Sequence, residues 1–195
     1  VYQFILKGVE VYYAESLKAL LPNMREIKPE GTTVVPRVLE KILTGIITRA
    51  KRSARIKRMF MIWSIRLGYR FRFTEKTGFI RRWTYFLADK LVYRSVRAIL
   101  GGHLRYVGCG GAPVNERILK FFWAAGIPVY EGYGLTESSP LVTVNHPGRD
   151  NIRFGTVGRP VENVQIRISD EGEVLVKGTN IMIGYFKNQA LTEAT

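Results

Sequence analysis

Cysteine and histidine are nearly missing from this 195-residue sequence: Cys109 stands alone, with only His103 and His146 beside it. One thiol cannot close an intrachain disulfide, and three soft donors cannot complete a structural zinc site. Such usage fits a reducing, cytoplasmic setting. Long hydrophobic runs are missing too. The longest stretch free of Asp, Glu, Lys and Arg is 138–148, short and polar, against the ~18–20 apolar residues a spanning helix needs. No initiator Met opens the chain, no signal-peptide layout follows, and no tail composition closes it, so it reads as a piece of a longer protein. Acidic residues are scarce, 16 against 30 Lys and Arg, for a net charge of +14. With 46% hydrophobic and 24% charged residues the composition is ordinarily globular, which excludes disordered, collagen-like and low-complexity classes.

The positive charge belongs to one segment. Residues 49–97 hold fifteen Lys and Arg against Glu75 and Asp89, a net of +13, whereas 99–195 are balanced at nine of each. In this segment Ile56, Met59, Phe60, Trp63 and Leu67 repeat at helical spacing. Trp83, Leu87 and Leu91, then Val92, Val96 and Ile99, do the same. Basic amphipathic helices have several readings: a solvated cationic face over a packed apolar one, attraction to an anionic membrane surface, or attraction to phosphorylated ligands. Nucleic acid ranks last, because no zinc-finger, RRM or KH signature accompanies the charge.

Along the chain, 9–13 reads as a strand and Ser16 as the N-cap of a short helix, with Pro22 opening a further turn to Ile27. Residues 32–35 read as extended, since Pro36 keeps Val35 out of the helical region. A helix is expected from Val38 toward Ile65, and 68–78 read as a break between helices. Next come a strand at 104–109, a helix at 114–125 ended by Gly126, and a strand from Val129. Strand, glycine loop, helix, strand is the crossover unit of a mostly parallel sheet, so 1–150 read as α/β. Residues 151–195 read as the start of an antiparallel β unit, a hairpin of 161–168 and 173–177 turning at Asp170, Glu171 and Gly172.

Two glycine-rich stretches carry the candidate chemistry. GCGGAP (108–113) follows a strand and precedes a helix, where a bare backbone and free N–H groups can meet a ligand. It has neither P-loop nor GxGxxG spacing, and a tight structural turn reads as well. EGYGLTESSP (131–140) follows the next strand, at the carboxyl edge where open α/β sheets hold ligands. Gly132 and Gly134 flank Tyr133, an aromatic able to stack on a base, a contact of about 1–3 kcal/mol. Thr136 offers a hydroxyl to a phosphate, and Glu137 a hard oxygen suited to Mg²⁺. The plainer reading is a turn with a buried Tyr, a capping Thr and a solvated Glu. No GxSxG makes Ser138 or Ser139 a hydrolase nucleophile, and Cys109 has no neighbouring His in sequence.

Taken together, YGLTE, GGAP about twenty residues before it and GTVGRP about twenty after resemble the adenylate-forming superfamily. AESLKALLPNMREIKP, TVVPRVLEKI and FLADKLVYRSVRAILGGHLRYVGCGGAP resemble its long-chain fatty-acid–CoA ligases. The resemblance covers essentially the whole chain. It implies the second α/β subdomain of that fold followed by the first strands of a β-barrel subdomain. It implies a reaction of a fatty acid with Mg-ATP to acyl-adenylate and pyrophosphate, then transfer to coenzyme A. By the same resemblance, Tyr133 would stack on adenine, Glu131 and Gly132 would line its edge beside Gly134, and Thr136 would contact phosphate. Glu137 would hold Mg²⁺. Gly110, Gly111, Ala112 and Pro113 would wall the adenine and acyl channel, with Val35, Pro36 and Arg37 near the acyl entrance. The basic segment would bring the protein to the inner face of a membrane. Cys109 stands where many members have Ser. The phosphate-binding loop, the ribose-binding aspartate and the catalytic lysine of such enzymes have no counterpart in the sequence, so these residues alone are expected to be inactive.

Overall fold

The computed structural model describes residues 6–73, 78–146 and 152–195. Helix α1 (Leu20–Ile27) leads into strand β1 (Gly31–Val34), and helices α2 (Pro36–Lys51), α3 (Arg55–Tyr69) and α4 (Phe79–Ala88) follow. A π-helical turn (Asp89–Tyr93) joins α4 to α5 (Arg94–Ile99). Strand β2 (Tyr106–Cys109), helix α6 (Glu116–Ala124) and strand β3 (Val129–Tyr133) form the crossover unit expected from the sequence. Strands β4 (Thr143–Val144) and β5 (Arg159–Pro160), the hairpin β6 (Val164–Ile168) with β7 (Val174–Gly178), and helix α7 (Gln189–Ala194) complete the order. The division expected between 150 and 151 lies outside the described residues, as does most of the helix tail expected around Phe4 to Leu6.

The main sheet runs β1-β2-β3-β4-β5. Its first three strands are parallel, with Val34 opposite Cys109 and Cys109 opposite Glu131; β3, β4 and β5 pair antiparallel. The architecture is α/β. The core fills the space between the parallel strands and the helices, with Leu119, Phe121 and Phe122 of α6 against Tyr93, Val96 and Ile65. Phe121 meets Tyr93 and Phe122 edge to face. The buried Tyr93 hydroxyl donates to the Ser64 carbonyl at 2.7 Å, satisfying a polar group that burial would otherwise penalise.

Three expectations need correction. Residues 9–13 form no strand: they pair with nothing among the described residues and stand exposed, so their alternation of apolar side chains has no sheet to join. Ser16 caps a turn through Ala19 rather than a helix, and α1 starts four residues later. The helix expected from Val38 toward Ile65 is two helices. Gly45 lies inside α2 without breaking it, and the break falls at Arg52, Ser53 and Ala54. Ser53 Oγ donates to the Arg49 carbonyl and its N–H to the Ala50 carbonyl, which closes α2; Ala54 then turns extended.

Of the break expected across 68–78, Gly68 and Tyr69 still belong to α3, and the chain leaves the helix only from Arg70. Beyond Tyr69 the chain is anchored by aromatic contacts. Phe73 stacks on Phe154 at 5.1 Å and meets Trp123 edge to face at 4.9 Å. The expected apolar faces of the basic segment are not all packed: Ile56 and Met59 of α3 and most of the apolar stripe of α4 face outward.

Candidate active site

Because β2 and β3 are parallel neighbours, the segments that leave their carboxyl ends start side by side. After β2, Gly111 takes φ +83°, a left-handed turn costly to any residue with a Cβ. That turn delivers the chain to α6, whose N-cap Asn115 accepts from the Arg117 N–H at 2.9 Å. Gly110 faces the backbone of β3, where a Cβ would lie 3.1 Å from the Gly132 carbonyl oxygen. The two glycine stretches are thus in backbone contact.

Glu131 ties them further. Its side chain is buried, and Oε1 accepts from the Val114 N–H at 3.1 Å, reaching from β3 to the end of the GGAP loop. Burial pushes its carboxyl above the usual range, against the opposing pull of that hydrogen bond, and Oε2 has no hydrogen-bond partner among the described residues. Its register partner Cys109 is buried as well, and desolvation, aided by the Glu131 charge, pushes the thiol up to about 12. A thiol so disposed is inert at neutral pH. We expect iodoacetamide to leave Cys109 unlabelled in the folded protein at pH 8 and to label it fully in guanidinium. The folded pKa is raised, so the stability this group contributes is present below an unfolded value near 9 and falls away as pH rises toward 12. Tyr93, raised by burial, acts in the same direction, and denaturant melts across that range would record the loss.

Beyond Tyr133 the chain passes Gly134 and Leu135 into a single 3₁₀ turn, Thr136–Ser138, and returns as β4. Ser138 knits this turn. Its Oγ accepts from the Leu135 N–H and donates to the Leu135 carbonyl, both at 2.9 Å. That hydroxyl is committed to structure, as its lack of a nucleophile motif suggested. Gly134 lies against the Pro140 carbonyl, and no side chain fits there. Thr136 is exposed and Glu137 partly so, at the tip of the β3–β4 connection. The Glu137 backbone N–H and the Tyr185 hydroxyl hold its carboxyl below the usual range; the latter donates to Oε1 at 2.8 Å.

The structure therefore brings Gly110, Gly111, Glu131, Gly132, Tyr133, Gly134, Thr136 and Glu137 to one edge of the sheet. Val35 and Pro36 lie at the carboxyl end of β1, where Pro36 opens α2. Sequence reasoning missed Tyr185, which no local motif links to Glu137 across 48 positions. Among the described residues no cluster of three His, Cys, Asp or Glu could hold a metal. One carboxylate with a hydroxyl beside it suits Mg²⁺, which takes one or two protein carboxylates and completes its shell with substrate phosphates and water.

The family model described as AMP-binding enzyme matches residues 1–186. The long-chain-fatty-acid–CoA ligase FadD15 of Mycobacterium bovis is 37% identical over 194 residues, 95% of this chain and 31% of that protein. Long chain acyl-CoA synthetase 3 of Arabidopsis thaliana is 31% identical over 196 residues, 93% of this chain and 29% of that protein. The chain thus spans about a third of the length of these relatives. Among solved structures, o-succinylbenzoate CoA synthetase from Bacillus subtilis, in complex with ATP and magnesium, superposes with a TM-score of 0.60. It is 18% identical and covers 99% of this chain and 32% of that one. A benzoate CoA ligase from Burkholderia xenovorans gives 0.57 at 18% identity, over 94% and 29%.

Proposed function

The chain belongs to the AMP-binding enzyme family, and from that premise we propose that it is the central part of a long-chain fatty-acid–CoA ligase. The carrying observation is the turn with exposed Thr136 and half-buried Glu137 at the carboxyl edge of the sheet, next in sequence to the strand that Glu131 ties to the GGAP loop. In the reaction, a carboxylate oxygen of the fatty acid attacks the α-phosphorus of ATP and pyrophosphate leaves. The thiol of coenzyme A then attacks the acyl carbonyl and AMP leaves. Tyr133 stacks on adenine. Glu131, Gly132 and Gly134 form one wall of the nucleotide site, and Gly110, Gly111, Ala112 and Pro113 form the other. The Thr136 hydroxyl donates to a phosphate oxygen. Glu137 holds Mg²⁺, which when bound supplies positive charge to the polyphosphate. Fixed donors of this kind act by stabilising charge that grows in the transition state.

Relatives named for long-chain fatty acids, at 31–37% identity, support that substrate class. The structural neighbours named for aromatic acids share the fold at 18% identity. The test is AMP release by the full-length protein with Mg-ATP, coenzyme A and either palmitate or benzoate. Palmitate-dependent turnover supports the reading. Turnover with benzoate alone keeps the adenylation and discards the fatty acid.

The partner proposed for the basic segment is an anionic membrane surface. No helix among the described residues is long and apolar enough to cross a membrane. On α4, however, Phe79, Ile80 and Trp83 are 75%, 80% and 50% exposed, and Phe86 is exposed beside them. Edge contacts at 6.1 and 5.8 Å join Phe79, Trp83 and Phe86 along one face. Arg81 and Arg82 lie on the same helix, and Lys90 and Arg94 follow within two turns of its end. Asp89, in the π-helical turn that follows α4, is paired with Arg97 at 2.6 Å. Apolar side chains in the interface, with about 1 kcal/mol per nearby basic residue, suffice for peripheral attachment. In the full-length protein, Arg81→Glu with Arg82→Glu should cut co-sedimentation with phosphatidylserine vesicles about tenfold or more. Turnover of dispersed substrate should be unchanged.

A further inference from the structure

The 3₁₀ turn that carries Thr136 and Glu137 is short and exposed at its tip, and Ser138 closes it onto Leu135. A second segment holds it from outside. After β7 the chain doubles back across the turn and meets it at successive points. Asn180 Nδ2 donates to the carbonyls of Ser138 and Leu141, both at 2.9 Å. The Met182 N–H donates to the Glu137 carbonyl at 2.8 Å. The Tyr185 hydroxyl then reaches the Glu137 side chain itself, donating to Oε1 at 2.8 Å.

The strap is anchored in turn. The Tyr185 N–H donates to Thr192 Oγ1 at 2.9 Å, and that hydroxyl donates to the Asn188 carbonyl at 2.9 Å. Asn188 Oδ1 caps α7 by accepting from the Leu191 N–H. A long carboxylate side chain on an exposed tip would otherwise sample several rotamers. Here its backbone is fixed through Met182, and one of its two oxygens through Tyr185.

We infer that the segment 180–185 sets the position of the Glu137 carboxylate. Tyr185 is its positioning residue: the hydroxyl fixes Oε1 and leaves Oε2 to the ligand. The inference rests on Glu137 being the carboxylate that receives the cation. A hydrogen bond from a neutral hydroxyl to a carboxylate orients it without neutralising it, the arrangement commonly found behind metal ligands. The hydroxyl donates to Glu137 and is not itself a ligand, so its removal leaves the binding carboxylate in place but unaimed.

The test uses the full-length protein, Mn²⁺ as a spectroscopic probe and a non-hydrolysable ATP analogue. Tyr185→Phe should weaken Mn²⁺ binding in the presence of the analogue by about tenfold, the usual cost of losing an outer partner of a metal ligand. It should lower kcat with little change in KM for the fatty acid. Phe186→Ala, which alters the adjacent exposed side chain, should change neither. A Tyr185→Phe protein with unaltered Mn²⁺ affinity and kcat overturns the inference. So does one that merely melts earlier while Mn²⁺ affinity is kept. Glu137→Gln run alongside separates the two failures. If it abolishes Mn²⁺ binding while Tyr185→Phe does nothing, only the positioning role falls. If Glu137→Gln also binds Mn²⁺ normally, the assignment of Glu137 itself is wrong.

Discussion

In the full-length protein, Glu137→Gln is expected to keep the fold and to lose acid-dependent AMP formation by two orders of magnitude or more. The side chain sits at the exposed tip of the β3–β4 connection. Its replacement by the neutral amide disturbs no buried contact. The turn stays closed by Ser138 and by the Met182 N–H, which meets the Glu137 backbone carbonyl. What disappears is the negative charge. An amide oxygen is a much poorer ligand for a hard dication, and removing a single group that stabilises transition-state charge costs on the order of 10²–10³ in kcat. Circular dichroism and a thermal melt like those of the unaltered protein, together with lost palmitate-dependent AMP release, would establish the role. Retained turnover would remove Glu137 from the chemistry.

Gly134→Ala should do comparable damage by a different route. A Cβ at this position would overlap the Pro140 carbonyl oxygen, and it would come within 2.7 Å of the carbonyl carbon and 3.0 Å of Leu141 Cα. All three are backbone atoms, so no side chain can swing aside. The connection must open by roughly an ångström or more, moving both ends of the Thr136–Ser138 turn. Backbone displacement of that size near a reacting centre is enough to cost about 100-fold in rate. The expected result is a soluble protein of reduced thermal stability with nucleotide-dependent turnover near background. Gly78→Ala is the control, because a Cβ there would meet nothing within 4 Å. An active Gly134→Ala protein would mean that the connection tolerates opening.

Those two substitutions fall in a part of the molecule that was readable before its structure. The β2–α6–β3 unit is signalled locally: glycines where the chain turns, an amphipathic nine-residue helix and Gly126 to end it. Its pairing partners lie about twenty residues apart, and so periodicity and turn chemistry suffice. Where the sequence misled, the deciding contact was absent or was one that spacing alone does not show. Residues 9–13 alternate like a strand but have no neighbour to pair with among the described residues. The break between α2 and α3 uses no Gly or Pro; it depends on Ser53 bonding back to Arg49, an option that serines inside helices also have. The outward face of α4 could not be told from a packed one by spacing alone, since both give the same repeat. Within the candidate site, the turns at EGYGLTE and GGAP were legible from their glycines, but the Glu131 link to Val114 was not. A carboxylate in a glycine-rich motif reads as a ligand contact before it reads as a strut.

The separations along the chain have a consequence for synthesis. Both glycine stretches, the Glu131 link between them and the turn bearing Glu137 are encoded within residues 106–144, and the Glu131–Val114 bond spans only 17 positions. Closing such short loops costs little entropy compared with longer ones. Tyr185 lies 48 positions beyond Glu137. On the ribosome both glycine stretches and the Glu137 turn are therefore complete in sequence while Tyr185 is still untranslated. The Glu137 carboxylate meets the hydroxyl that bonds it only when the later segment arrives.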